Sequence, residues 1–298
     1  MNKYLFIGGT SKAGTTSLYK YLADHPKICN ARLKETRYFL NNQYPLKRMG
    51  HGSVYSRKEY NKLFKCKNNQ RYLDATTDYL YSDNTANLIR QTLYNDEVKI
   101  IFILRNPVDR FVSWYKFAMQ DGKIPKKMTL QEYFYANKED TNSKNFQHYS
   151  ALNQGNYSMY LIDYYNVFKS SDINILYFED LKENPQEVLQ TLSKEIEINS
   201  SFYDNYGFIH HNRTVIYRYP KLNGLYKKLQ RILRETISHT GALSILKSVH
   251  GIMDRIYLNY NTDAYHEKSF AIEQQSLELV REFYSDELKI YNRRSYGE

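Results

Sequence analysis

The sequence predicts an α/β fold of three layers, with helices on both faces of a central parallel sheet. Three observations carry this. Leu5-Phe-Ile7 is a short apolar run that ends in Gly8-Gly9, and from Gly14 an amphipathic segment follows with Leu18, Tyr21 and Leu22 on one face. Val98-Lys-Ile-Ile-Phe-Ile-Leu104 is β-branched, continuous and short, which suits a central strand, and Pro107 suits the first turn of a helix behind it. Ile173-Asn-Ile-Leu-Tyr-Phe178 repeats the pattern, with a helix expected from Gln186.

The first of these units is the most informative. Strand, glycine-rich turn and helix start form a phosphate cradle, because backbone N–H groups without intrahelical partners converge there and the helix dipole favours an anion. Gly9-x4-Gly14 has the spacing of a P-loop, but Thr15 stands where that motif demands Lys, and the cation sits earlier, at Lys12. This departure argues against an ordinary Mg-nucleotide hydrolase and for a loop that grips a different phosphoanhydride.

Composition narrows the partners. A chain of 298 residues can bury one large core or two small ones. Lys plus Arg number 42 against 32 acids, a net charge of +10, which serves solubility and also suits a nucleotide, an acidic glycan, nucleic acid or a membrane surface. Thirty-one tyrosines accompany one tryptophan. Tyrosine can line sugar or nucleotide sites with a flat apolar face and a hydroxyl, although a biased base composition would produce the same excess. Cys29 and Cys66 show neither metal spacing nor a disulfide framework. Met1-Asn-Lys leads straight into the first strand, and no run of about 18 apolar residues exists, so a cytoplasmic protein without a spanning helix is expected.

Along the chain, the first helix is expected to end near Asp24-His25-Pro26, with His25 capping and orienting the turn. Glu35 lies between Lys34 and Arg37, where a carboxylate could accept a proton from a hydroxyl; surface charge patterning is the competing reading. Residues 41–72 are polar and irregular, with one helical piece at Lys58–Phe64. Arg71–Tyr81 reads as a strand and loop, and a plain edge strand fits it nearly as well. Arg105 follows the Val98–Leu104 strand at its carboxyl end, where ligands of open α/β sheets bind, and Arg110, Ser113 and Trp114 follow within two helical turns. An arginine fork and a hydroxyl suit a phosphate, while a structural ion pair would suit Arg105 equally.

Thr129-Leu-Gln-Glu is a capping box, Tyr157–Phe168 has helical spacing, and Glu179 and Asp180 are read as structural. Beyond Ser200, His210-His211 lack a third metal ligand, and Arg213 and Arg218–Lys221 are candidates for a basic segment that closes over a nucleotide. Residues 221–261 contain a cationic amphipathic stretch, suited to packing with a solvated basic rim, to an acidic acceptor or to peripheral membrane contact. Ile272–Tyr291 reads as one closing helix. Without repeats or linkers, residues 1–298 are expected to form a single domain, 1–200 as nucleotide-binding core and 201–298 as closing segment and C-terminal helix.

Two motifs resemble one family. Lys12-Ala-Gly-Thr-Thr-Ser-Leu18, with Leu22 and His25-Pro26, is similar to the 5′-phosphosulfate loop of sulfotransferases that use 3′-phosphoadenosine 5′-phosphosulfate (PAPS), especially the bacterial and heparan-sulfate-type carbohydrate branch. Arg105-Asn-Pro-x-x-Arg110-x-x-Ser113-x-Tyr115, roughly ninety residues on, resembles the 3′-phosphate site of the same enzymes. Glu35-Thr-Arg-Tyr38-Phe39 matches the glycan branch's catalytic Glu before an aromatic pair. Asp74, Thr76 and Tyr79 match a further motif thought to shape the acceptor side, in which Thr77 replaces a proline.

The resemblance covers roughly residues 3–196 well and 262–291 loosely. It implies a P-loop NTPase-like α/β/α fold and transfer of a sulfuryl group from PAPS to a hydroxyl, with 3′,5′-bisphosphoadenosine as product and no metal required. In that scheme Ser11, Lys12, Ala13, Gly14, Thr15, Thr16 and Ser17 cradle the 5′-phosphosulfate, Lys12 stabilises the departing phosphate, Arg105 and Ser113 hold the 3′-phosphate, Arg213 joins the nucleotide site, and Glu35 is the base. A saccharide acceptor is implied, with lipid, phenol and polyketide hydroxyls as alternatives. The rivals are a P-loop nucleotide kinase or NTPase, opposed by the missing Lys after Gly14, and a nucleic-acid-binding protein, for which only the net charge speaks.

Overall fold

Alternation of apolar side chains decides how the sheet is buried. On β1 (Lys3–Gly9), Tyr4 and Phe6 belong to one core cluster, and Leu5 and Ile7 to another. The computed structural model, which describes residues 1–46, 55–125, 127–139, 150–209 and 272–297, covers both faces of the strands in this way. In chain order β1 is followed by α1 (Thr15–Ala23), β2 (Ile28–Asn30), α2 (Arg57–Asn61), β3 (Arg71–Asp74), a 3₁₀ turn at Thr77–Tyr81 and α3 (Thr85–Thr92). Then come β4 (Glu97–Leu104), α4 (Pro107–Gln120), α5 (Leu130–Glu139), α6 (Tyr157–Val167), β5 (Ile173–Tyr177), α7 (Phe178–Glu183), α8 (Pro185–Glu195), α9 (Gln274–Phe283) and α10 (Ser285–Arg293).

The chain divides into two compact units, one from Met1–Arg110, Asn153–Asn212 and Arg281–Glu298, the other from Phe111–Leu152 and Arg213–Val280. The first holds the sheet, in order β2-β3-β1-β4-β5 with every pair parallel. Phe6 is in register with Asp74, and Leu104 with Tyr177. The carboxyl ends of β1, β3 and β4, and the loops that leave them, therefore lie along one edge of the sheet, where an open parallel sheet binds its ligands. On one face the core is aromatic, with Tyr60, Tyr79, Phe39, Tyr157 and Tyr164 all fully buried. On the other it is aliphatic, built from Leu18, Leu22, Ile101, Ile103, Leu189 and Leu192. Much of the tyrosine excess is thus core material: Tyr164 donates to the Tyr79 carbonyl at 2.7 Å, so the hydroxyls stay satisfied inside.

In the second unit Phe111 stacks on Tyr133 with ring centroids 5.2 Å apart, and Tyr115 donates to the Met128 carbonyl at 2.7 Å. The expected capping box opens α5: Thr129 N donates to Glu132 Oε2 at 2.7 Å and Glu132 N to Thr129 Oγ1 at 3.1 Å.

Three expectations are corrected. Of the two readings of Arg71–Tyr81, the strand and loop holds and the edge strand does not: β3 pairs with β1 on one side and β2 on the other, and the edges are β2, only three residues long, and β5. The expected closing helix over Ile272–Tyr291 is two helices, because Tyr284, at φ −93° and ψ 17°, leaves helical geometry between α9 and α10. The apolar spacing continues through that break, so periodicity alone does not register it. Finally, Cys29 and Cys66 form a disulfide, with Cα atoms 5.4 Å apart across a separation of 37 residues. The chain after α2 returns to the β2 edge, where Arg32 N donates to the Leu63 carbonyl at 2.9 Å and brings the two cysteines together. Among the described residues no helix is long and apolar enough to cross a membrane.

Candidate functional site

The glycine-rich turn leaves β1 tied to its neighbours. Thr10 N donates to the Ile103 carbonyl of β4 at 2.8 Å, Lys12 takes a left-handed conformation at φ 69°, and Gly14 another at φ 83° before α1 begins. A Cβ on Gly14 would lie 2.9 Å from the Phe178 ring, so both dihedral and space call for glycine. No side-chain hydrogen bond caps the α1 N-terminus, which Gly14 occupies. Arg110, with no exposed surface, supports the turn from below. Its Nε donates to Thr10 Oγ1 at 3.1 Å and to the Ser11 carbonyl at 3.2 Å, and its Nη2 donates to Gln154 Oε1 at 2.9 Å. The Tyr81 hydroxyl bonds Thr10 Oγ1 as well.

Arg105 leaves the end of β4 beside the same turn. Its Nη1 donates to the Lys12 carbonyl at 3.1 Å, and its guanidinium carbon stands 4.7 Å from the Phe178 ring centroid. Its Nε is buried and has no hydrogen-bond partner among the described residues. Buried guanidinium nitrogens are rarely left so, and an anion would satisfy this one. The backbone here is fixed by Tyr157, whose hydroxyl donates to the Arg105 carbonyl at 2.7 Å, and by Asn106, whose Oδ1 caps α4 by accepting from Val108 N at 3.1 Å. Glu179 Oε1 accepts from Asn106 N at 3.3 Å and its other oxygen from the Tyr291 hydroxyl; Asp180 pairs with Arg294 at 2.7 Å. Both acids are structural, as expected. Ser113 lies half-buried on α4, in the second unit.

Glu35 sits on a loop zipped to the end of β3. Ala75 N donates to the Lys34 carbonyl at 3.2 Å, Arg37 N to Thr76 Oγ1 at 3.1 Å, and Thr36 Oγ1 to Asp74 Oδ2 at 2.5 Å. Asp74 also accepts from Tyr79 at 2.9 Å, Tyr60 at 3.1 Å and Thr76 at 3.0 Å; burial raises its pKa, against the pull of these donors. All its bonds are internal, so Asp74 and Tyr79 shape the site by holding the Glu35 loop. Glu35 faces two cations, Arg37 Nη2 at 3.3 Å and Lys34 Nζ at 3.7 Å, and Lys34 Nζ also donates to Thr16 Oγ1 at 3.3 Å. Asp78 is buried nearby, accepting from Tyr44 at 2.9 Å; burial pushes its pKa up to about 6.

His25 plays the part expected of it. Lys27 N donates to its Nδ1 at 3.1 Å, so Nε2 carries the proton toward the Asn199 carbonyl, also 3.1 Å away, and burial lowers its pKa. Residues 11–17 and Arg105 are thus brought to one turn, and Glu35 is tied to it through Lys34. Arg213, His210 and His211, and the basic stretch 221–261 lie outside the described residues. Sequence reasoning missed the roles of Arg110 under the turn and of Thr36 in the Glu35 loop, although both stand inside the quoted motifs.

The family described as Sulfotransferase domain matches residues 2–216. The chain belongs to that family. Among relatives of this sulfotransferase domain, membrane-associated sulfotransferase kil1 of Dictyostelium discoideum is 36% identical over 126 residues, 42% of this chain and 25% of that protein. Bifunctional heparan sulfate N-deacetylase/N-sulfotransferase 1 of Xenopus tropicalis is 26% identical over 203 residues, 66% of this chain and 22% of that protein. The chain therefore spans about a quarter of the length of these curated relatives. The crystal structure of a sulfotransferase from Alicyclobacillus acidocaldarius superposes with a TM-score of 0.58 at 22% identity, over 82% of this chain and 96% of that one, which shows the shared fold.

Proposed function

We propose that the protein moves the sulfuryl group of PAPS to an acceptor hydroxyl on a saccharide. The acceptor oxygen bonds to sulfur while the bond from sulfur to the bridging oxygen breaks. The electron pair stays on the 5′-phosphate, and the acceptor proton passes to Glu35. Backbone amides at residues 13–17 and the hydroxyls of Thr15, Thr16 and Ser17 hold the 5′-phosphate, and Lys12 meets the charge growing on the bridging oxygen. Arg105 takes the 3′-phosphate, with Ser113 assigned to the nucleotide by its motif position and Arg213 as a candidate of the basic segment expected to close over it. Positioning and electrostatics carry such a transfer, by analogy with phosphoryl transfer.

The observation that carries this reading is Arg105. It is fixed to the Lys12 carbonyl and stacked on Phe178, yet its buried Nε lacks a partner among the described residues. A saccharide acceptor is supported by Glu35 before Tyr38-Phe39 and by the heparan sulfate enzymes among the relatives. The Cys29–Cys66 bridge favours an oxidising compartment over the expected cytoplasm, where thiols are kept reduced. 3′,5′-Bisphosphoadenosine should raise the melting temperature far more than 5′-AMP, and Arg105→Ala should erase the difference. Equal stabilisation of the parent protein by both nucleotides would overturn the reading.

A further inference from the structure

Two loops meet at one ammonium. Lys34 Nζ lies 3.3 Å from Thr16 Oγ1, in the first turn of α1, and 3.7 Å from Glu35 Oε1. The first belongs to the proposed donor cradle and the second to the proposed base. We propose that Lys34 is a catalytic cation of this site, its ammonium taking the oxygens of the sulfuryl group as that group leaves the donor for the acceptor. The role holds only if the sulfuryl-transfer reading above holds.

Three features separate Lys34 from an ordinary surface lysine. Its backbone is pinned, because its carbonyl accepts from Ala75 N at 3.2 Å while the next residues are tied to Asp74 and Thr76. The side chain therefore points from a fixed base. Its side chain is only 25% exposed, and burial lowers its pKa although Glu35 pulls the other way. Lastly, cations outnumber acids here. Lys34 and Arg37 share the single carboxylate of Glu35, and Asp78, the next acid, faces both Arg37 and the buried Arg110, so three cations meet two carboxylates beside the turn. A half-dry excess cation is stabilised by an incoming anion. An ammonium has three donors; Thr16 and Glu35 engage two directions, and the third can meet a sulfuryl oxygen. Lys34 forms no bond to sulfur and gives up no proton. It carries charge while the sulfuryl oxygens pass between Thr16 and Glu35.

The test needs no acceptor, because product and donor differ by the group in question. Dissociation constants for PAPS and for 3′,5′-bisphosphoadenosine are measured on the parent chain, on Lys34→Met, which keeps the aliphatic stem, and on Lys34→Gln, which keeps a donor for Thr16. The expected result is a bisphosphoadenosine affinity within about twofold of the parent and PAPS binding weakened by about tenfold, the worth of one charge-assisted hydrogen bond. Either variant can report if the other fails to fold. Equal weakening of both ligands would make Lys34 a 5′-phosphate anchor, and an unchanged PAPS affinity would make it structural; each overturns the proposal. If the parent itself prefers bisphosphoadenosine no more than 5′-AMP, the donor assignment fails instead, and Lys34 with it.

Discussion

Asp78 holds a carboxyl where water hardly reaches, and this gives the protein a measurable pH signature. Burial, with help from the Glu35 charge, pushes its pKa up to about 6 from 3.8, against Tyr44, Arg37 and Arg110. The folded state therefore holds this proton more tightly than the unfolded chain. Ionising the group costs nothing below about pH 4 and the full amount above about pH 6. Asp78→Asn keeps an acceptor for Tyr44 and removes the ionisation. Relative to the parent it should gain about 1–3 kcal/mol as pH rises from 4 to 6 and hold that gain to pH 8. An advantage that does not vary with pH would show that Asp78 does not titrate in this window. The residues that touch ligand in the proposed scheme, Lys12, Glu35 and Arg105, are legible in the sequence because their chemistry dictates their types and spacing. Arg110 and Thr36 are not, since their partners, from the Thr10 hydroxyl and Ser11 carbonyl to the Asp74 carboxylate, are groups that only the folded chain brings near.

At the level of elements, the turn between β1 and α1 depends on Gly14. A methyl group there meets Phe178 at 2.9 Å and must also adopt φ 83°. Gly14→Ala should lower stability by about 1–3 kcal/mol, from the unfavourable dihedral and the clash together. Chemical denaturation would check this, and a loss under about 0.5 kcal/mol would mean the turn relaxes without penalty. The strands β1, β4 and β5 can be read from sequence because each is a short, mainly apolar run with most of its residues buried. β2 escapes notice at three residues, and its place at the edge leaves β3 looking more peripheral than it is. The break at Tyr284 escapes for the opposite reason. The side chains of Val280, Tyr284 and Tyr291 remain buried across it, so the hydrophobic pattern never falters.

For the molecule as a whole, the feature least visible in the sequence is the pairing of Cys29 with Cys66, because linear separation says nothing about where two strand-edge segments meet. The bridge closes a loop over 37 residues of separation, which in the chain-entropy account contributes about 4 kcal/mol. Reduction, or Cys66→Ser, should therefore lower the melting temperature by several degrees; identical transitions with and without reductant would show that the bridge does not form in solution. Lys34, Glu35 and Arg37 all lie inside that loop. This makes the stretch from Cys29 to Cys66 a covalent ring, and a ring survives a single cut. A protease that nicks the backbone anywhere between residues 30 and 65 yields two pieces on a reducing gel but one on a non-reducing gel, with the segment that carries Glu35, the proposed base, still attached to the chain.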